Sequence, residues 1–183
     1  MSAALSRSPQ RWLGPFCGAL LLLRVVYAWA LRINSDEPQH LHVVWAWTQG
    51  LLPYRDVFDN HAPLFQLLSA PLFAVIGERA QILPLMRLAT IPWFALALWC
   101  AYRIGRALYD RRTGAWAAVL SAFAPGFFIL SAQFRTDVGW APLWLTTVMI
   151  AVEGRPTPRR AFWVGFFAGA TLAVSLKSLL LNG

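Results

Sequence analysis

Apolar runs long enough to cross a bilayer recur along this chain of 183 residues, and arginines gather in the gaps between them. About 20 helical residues, at 1.5 Å each, cover a hydrocarbon layer roughly 30 Å thick. Hydrophobic residues make up 58% of the chain and charged residues 13%, more apolar surface than a soluble chain of this size can hide. The expected fold class is all-α: a polytopic transmembrane helix bundle. Its spans are expected near 13–31, 82–102, 114–133, 138–152 and 161–181, with short juxtamembrane or re-entrant helices in a first outer loop, 32–81.

The formal net charge of +8 would suggest nucleic acid as the partner of a soluble chain. Here the basic residues sit between apolar runs, which is the pattern of cytoplasmic loops. Arg7 and Arg11 precede the first run, Arg103, Arg106, Arg111 and Arg112 follow the second, and Arg155, Arg159 and Arg160 precede the last. The amino terminus is therefore expected inside. The first run is too long for a signal peptide, carries Arg24 and lacks a small-x-small cleavage site. Residues 64–77 are apolar, only 14 long and broken by Pro71, which favours an interfacial or re-entrant segment. Were that segment to cross, the four-arginine loop would face outward and Asp137 would lie across the membrane from Asp36. Without the crossing, Asp36, Glu37, Asp56, Asp59, Glu78 and Asp137 share the outer face.

Polar chemistry concentrates in residues 33–64, which hold all three histidines and four acids. This stretch reads as the active-site loop of a membrane-embedded enzyme. Residues 40–49 have the spacing of a short amphipathic helix with Leu41, Val44, Trp45 and Thr48 on one side. Asp36 and Glu37 follow the first span. One reading makes Asp36 a general base toward a hydroxyl or amine acceptor, and the other makes it a helix cap with Pro38 in the first turn. Asp137 is either a plain Arg/Asp helix boundary or a second carboxylate closing on the first. His61 is a loop imidazole or a phosphate ligand and proton donor. His40 and His42, at i and i+2, project to different helix sides, which argues against a joint metal site and gives them structural or interfacial roles. Lys177, the single lysine, lies in the apolar run TLAVSLKSLLL; it either snorkels to the headgroups or meets a lipid phosphate. Cys17 and Cys100 lie in apolar runs and read as small core residues.

Taken together, these pieces resemble a known family. An Asp-Glu pair after the first span is followed by GLLPYRDVFDNHAPLFQLL, RIGRALYDRRTGAWAA, APGFFILSAQFRTD and a lone lysine in SLKSLLL. Their order and spacing are similar to those of the C superfamily of membrane glycosyltransferases, in particular the dolichyl-phosphate-mannose protein mannosyltransferases and the bacterial aminoarabinose transferase of lipid A. The likeness runs over nearly the whole chain, 1–183, as the amino-terminal part of such a transmembrane domain. His-Ala-Pro stands where many relatives have His-Pro-Pro.

The resemblance implies a polyprenyl-phosphate-linked sugar donor, a lipid, protein or glycan acceptor, membrane lipids around the chain and no nucleic-acid partner. It places the chain in the bacterial inner membrane, with the active site facing the periplasm or exterior. It assigns Asp36, Glu37 and Asp137 as catalytic residues and Lys177, His61 and Arg55 as ligands of the donor phosphate. No organic cofactor or metal-ligand set is called for, and a divalent metal is left open. Because such enzymes usually have further spans and often a soluble outer domain, the chain is expected to be part of a longer enzyme. A transporter subunit and an inactive membrane fragment are the rival readings; a transporter would put its ionisable groups near the midplane, not at span ends.

Overall fold

In a computed structural model the protein is described over residues 10–179, with no β-strand among them. Helix α1 (Gln10–Ala30) is followed by α2 (Asp36–Thr48), α3 (Leu64–Ile76), α4 (Ile82–Leu88) and α5 (Ile91–Leu108). Then come α6 (Arg111–Phe123), α7 (Pro125–Leu130), α8 (Asp137–Val152) and α9 (Pro158–Val174), closed by a 3-10 turn at Leu176–Ser178. The all-helical expectation holds. Among the described residues one helical stretch, Ile82–Leu108, is long and apolar enough to cross a membrane, with shorter apolar helices at Pro15–Ala30, Leu64–Ile76 and Asp137–Val152.

Local chemistry explains where the expected runs break. Pro92 lacks the N–H that would bond back to Leu88, so α4 and α5 join through a bend at Ala89 and Thr90. The rod continues to Leu108, beyond the expected end near 102, and carries Arg103 and Arg106 within the helix. Pro125 likewise stops α6, leaving Ala124 extended at φ −62° and ψ 112°. The last helix ends at Val174, because Ser175 is extended and its hydroxyl accepts from the Lys177 amide. Lys177 therefore follows a helix break and does not sit within a continuous span; residues 180 and 181 of the expected span lie outside the described residues. The helix expected over 40–49 begins four residues earlier, at Asp36.

Cross-contacts give the helix directions. Phe16 packs on Phe123 and Arg24 reaches Phe128 and Ser131, so α1 runs alongside α6 and α7 in the same sense. Cys100 meets Thr146, and Arg103 forms a bidentate pair with Glu153 at 2.6 and 2.7 Å, which sets α5 and α8 parallel. Helix α5 also packs tightly against α6, because Gly105 and Gly114 face each other where a side chain would strike backbone. One end of the bundle thus gathers the end of α1, the start of α2, α4 and α8, and the end of α9. The other gathers the arginine-rich turns.

The core at the first end joins α2, α3, α4, α8 and α9 through Val44, Phe65, Phe73, Met86, Phe134, Val138 and Val174. A second cluster, Leu20, Phe94, Ala122 and Phe128, ties α1 to α5, α6 and α7. Of the two cysteines read as core residues, Cys100 is buried but Cys17 is exposed; its position in an apolar run told the run's polarity and not which way the side chain faces.

Candidate active site

Asp36 opens α2, but it does not cap it. The Asn34 side chain accepts from the Asp36 amide at 3.0 Å, and Glu37 Oε2 accepts from the Asn34 amide at 3.0 Å. This reciprocal pair satisfies helix-start donors in the manner of a capping box. Asp36 is left free to look outward, and its Oδ2 lies 2.8 Å from Arg135 Nη2.

Glu37 points the other way, into the protein, and is fully buried. Arg87 donates to its two oxygens at 2.8 and 2.6 Å, and the Phe134 amide donates at 2.8 Å. The remaining Arg87 donors take the carbonyls of Ala28, Leu31 and Arg32, at the end of α1. Burial alone would raise the Glu37 pKa; the Arg87 hydrogen bonds and the Asn34 and Phe134 amides outweigh it, and the carboxyl ends below its ordinary value. Every lone pair of Glu37 is thus directed at a donor of this chain, so its geometry is that of a clamp between α1, α2, α4 and the start of α8.

Asp137, in the first turn of α8, completes a row of four charges. Arg135 Nη2 lies 3.1 Å from Asp137 Oδ2, and Lys177 Nζ lies 2.6 Å from Asp137 Oδ1. Asp36, Arg135, Asp137 and Lys177 therefore alternate in sign along one line of contact, although they come from α2, the α7–α8 connection, α8 and the turn after α9. A groove of about 340 Å³ opens beside Asp137 and Lys177, walled by Phe94, Phe127, Leu130, Val138, Trp140 and Pro142. Its geometry suits a molecule with an apolar tail and an anionic head.

Next to this row lies a second polar group. Asp59, buried, accepts from the His61 amide at 3.0 Å and from the Gln66 amide nitrogen at 3.1 Å, and its Oδ1 is 3.1 Å from His61 Nδ1. The His61 ring meets the His40 ring edge-on, 4.5 Å between centroids. Burial first, then the His61 imidazole, push His40 down to about 4 against the pull of Asp59 and Asp36, so it is neutral near pH 7. His42 instead stacks on Trp45, away from this group. Arg55 pairs with neighbouring Asp56 at 2.8 Å on the surface, and no contact brings it to Lys177 or Asp137. Among the described residues no group of three or more His, Cys, Asp or Glu is arranged to hold a metal ion.

Of the six residues expected at the site, the structure joins Asp36, Asp137 and Lys177 in one row, sets Glu37 beneath it, and leaves His61 beside His40 and Arg55 apart. Sequence reasoning passed over Arg135, Asp59, Gln66 and Arg87. A signal existed for His40: Asp36 and His40 are i and i+4 on one helix and share a face, a spacing that brings them together where the i, i+2 spacing of His40 and His42 does not. Nothing local in the sequence announced Arg87, whose partner Glu37 lies 50 residues away, or Gln66, which meets Asp59 seven residues away and His40 26 residues away.

An all-helical frame that draws Asp36, Asp137 and Lys177 to one end, beside an apolar groove, is the arrangement expected of a membrane-embedded group-transfer enzyme. The chain belongs to the dolichyl-phosphate-mannose-protein mannosyltransferase family, whose sequence model matches residues 60–181. That family consists of membrane-integral glycosyltransferases, and the resemblance drawn from the motifs is borne out. No curated protein and no solved structure matches the chain. The family match includes His61, Asp137 and Lys177, while Asp36 and Glu37 precede it.

Proposed function

We propose that the chain crosses the bacterial inner membrane in about five spans and transfers a sugar from a polyprenyl-phosphate donor to a lipid, protein or glycan acceptor on the outer face. The observation that carries this reading is the charge row from Asp36 to Lys177, whose Asp137–Lys177 end lines the apolar groove. The polyprenyl tail occupies the groove, and Lys177 meets the phosphate at its rim. Segregation of the arginine-rich turns to the opposite end of the bundle supports the orientation, since such turns face the cytoplasm.

The chemistry is an inverting displacement at the anomeric carbon. Asp36 takes the proton of the acceptor hydroxyl or amine as that atom attacks, and the polyprenyl phosphate departs with the bonding electrons. The departing phosphate carries charge that Lys177 meets, which lowers the barrier only if the cation is already in place. Asp137 holds Lys177 at the groove. His61, oriented by Asp59, stands next to His40. Glu37 belongs to the frame that holds Asp36 in register, and Arg55, held by Asp56, stands apart from the row.

The test is transfer from a labelled polyprenyl-phosphate sugar in membranes that carry the protein. Asp36→Asn is expected to abolish transfer while leaving the fold intact; turnover at the wild-type rate refutes the reading.

A further inference from the structure

In the structure Arg135 occupies Asp36, and that conflicts with a base waiting for an acceptor. While Arg135 Nη2 sits 2.8 Å from Asp36 Oδ2, that oxygen faces a guanidinium and not a hydroxyl. We infer that Arg135 is a ligand of the donor phosphate that leaves its two carboxylates for the incoming anion, so that donor binding frees Asp36 to act as the base. The inference rests on the donor reading of the groove and adds to it a residue and an order of events.

Three observations carry it. First, Arg135 has donors the protein does not use. A single nitrogen, Nη2, serves both Asp36 and Asp137; Nη1 has only a long contact of 3.4 Å with Gln133 Oε1, and Nε is buried without a partner. A buried guanidinium N–H without an acceptor is costly, and a planar fork with spare donors matches a phosphate.

Second, the charges require a rearrangement. Asp36, Arg135, Asp137 and Lys177 sum to zero as they stand. A phosphodiester anion entering the groove beside Asp137 brings a third negative charge to two cations, and it approaches a carboxylate unless those cations turn to it. Arg87 is committed to Glu37 and the end of α1, and His40 is neutral, so Arg135 and Lys177 are the cations at hand.

Third, the backbone on either side of Arg135 is pinned, while its guanidinium is held to the two carboxylates through one terminal nitrogen, Nη2. The Phe134 amide is held by Glu37, and α8 begins at Asp137. The guanidinium can change partners by side-chain rotation alone.

The experiment measures binding of farnesyl phosphate, with farnesol as the uncharged control, to the detergent-solubilised full chain. Wild type and Lys177→Ala are compared with Arg135→Gln, Arg135→Lys, Asp36→Asn and the Asp36→Asn/Arg135→Gln double variant. Arg135→Gln is expected to weaken farnesyl phosphate about tenfold and leave farnesol unchanged, with Arg135→Lys between the two. Asp36→Asn is expected to bind farnesyl phosphate about threefold more tightly, because Arg135 loses a competing partner, and the gain disappears in the double variant. If Arg135→Gln does not fold, the tightening in Asp36→Asn still decides. Wild-type protein that binds farnesyl phosphate no better than farnesol overturns the donor reading and this inference with it. Phosphate-dependent binding that Lys177→Ala weakens, but that Asp36→Asn does not tighten or Arg135→Gln leaves at the wild-type level, overturns the role of Arg135 alone.

Discussion

Lys177 Nζ lies 2.6 Å from Asp137 Oδ1, although 40 residues and the whole of α8 and α9 separate them in the chain. The contact closes the carboxyl-terminal turn onto the start of α8 and puts the single lysine at the rim of the apolar groove. Because the Lys177 side chain is 58% exposed, the pair adds little to stability, about 0–1 kcal/mol. Lys177→Ala is therefore expected to leave the melting temperature nearly unchanged and to raise the donor KM about tenfold, measured by initial rates at varied donor concentration.

Asp36 is held at the first turn of α2 by Asn34 and Glu37 and does not itself hold the helix. Asp36→Asn keeps size and shape, so the thermal unfolding curve is expected to coincide with wild type. Loss of a general base lowers turnover about 10²- to 10⁴-fold. Single-turnover transfer assays give the rate, and a wild-type rate would sink the assignment.

Glu37 and Arg87 behave differently, because both side chains are buried and each is saturated by this chain. Arg87→Met strands a carboxylate in the interior, a loss of about 3–5 kcal/mol. Limited proteolysis and thermal denaturation should show the protein opening at the α1–α2 junction. Glu37→Gln keeps the shape and one acceptor, and is expected to destabilise less than Arg87→Met. A Glu37→Gln protein of wild-type stability that had lost all turnover would instead make Glu37 a participant in the chemistry.

The close crossing of α5 and α6 rests on Gly114, where a Cβ would fall on the Tyr102 carbonyl and within 2.9 Å of the Arg106 amide nitrogen. Backbone cannot yield as a flexible side chain can, so Gly114→Val forces the helices apart. The expected cost is about 1–3 kcal/mol, read as a lowered melting temperature with the farnesyl phosphate affinity of the folded fraction unchanged.

Acid stability follows from His40. Its folded value of about 4 lies below the ordinary 6.5, so between these values the unfolded chain binds more protons than the folded one. Stability therefore falls as pH drops from about 6.5 toward 4, by about 2 kcal/mol at pH 5. Glu37, with its value also depressed, adds a loss that begins near its ordinary value of 4.5 and continues below it. Melting temperatures between pH 7.5 and 5 should decline in wild type and decline less in His40→Gln; equal slopes would reject the buried neutral imidazole.

The all-helical class was legible in the linear chain, and so was a reason to single out Asp36, Asp137 and Lys177, but the breaks at Ala89 and Thr90 and at Ser175 fall inside expected spans. A lone lysine in an apolar run costs enough to need a reason, whereas proline alone does not mark a helix end: Pro92 and Pro125 stand at helix starts, but Pro15, Pro142 and the expected breaker Pro71 lie inside α1, α8 and α3. Less legible was the facing of each side chain. Asp36 and Glu37 are adjacent residues of the same type, yet one meets Arg135 at the rim and the other Arg87 in the interior. Adjacent helical positions point about 100° apart, and nothing local says which direction is inward.

The sequence by itself determined that this chain is a set of apolar helices with its arginine-rich turns set apart from Asp36, Glu37 and Asp137, because bilayer thickness and loop charge act on each segment separately. Only the tertiary structure decided that Arg135 stands between Asp36 and Asp137, that Glu37 is a buried clamp, and that a groove ends at Lys177. Apart from the Arg135–Asp137 pair, those contacts join residues 40 to about 100 positions apart, and their strength depends on desolvation and geometry that exist only once the helices are packed.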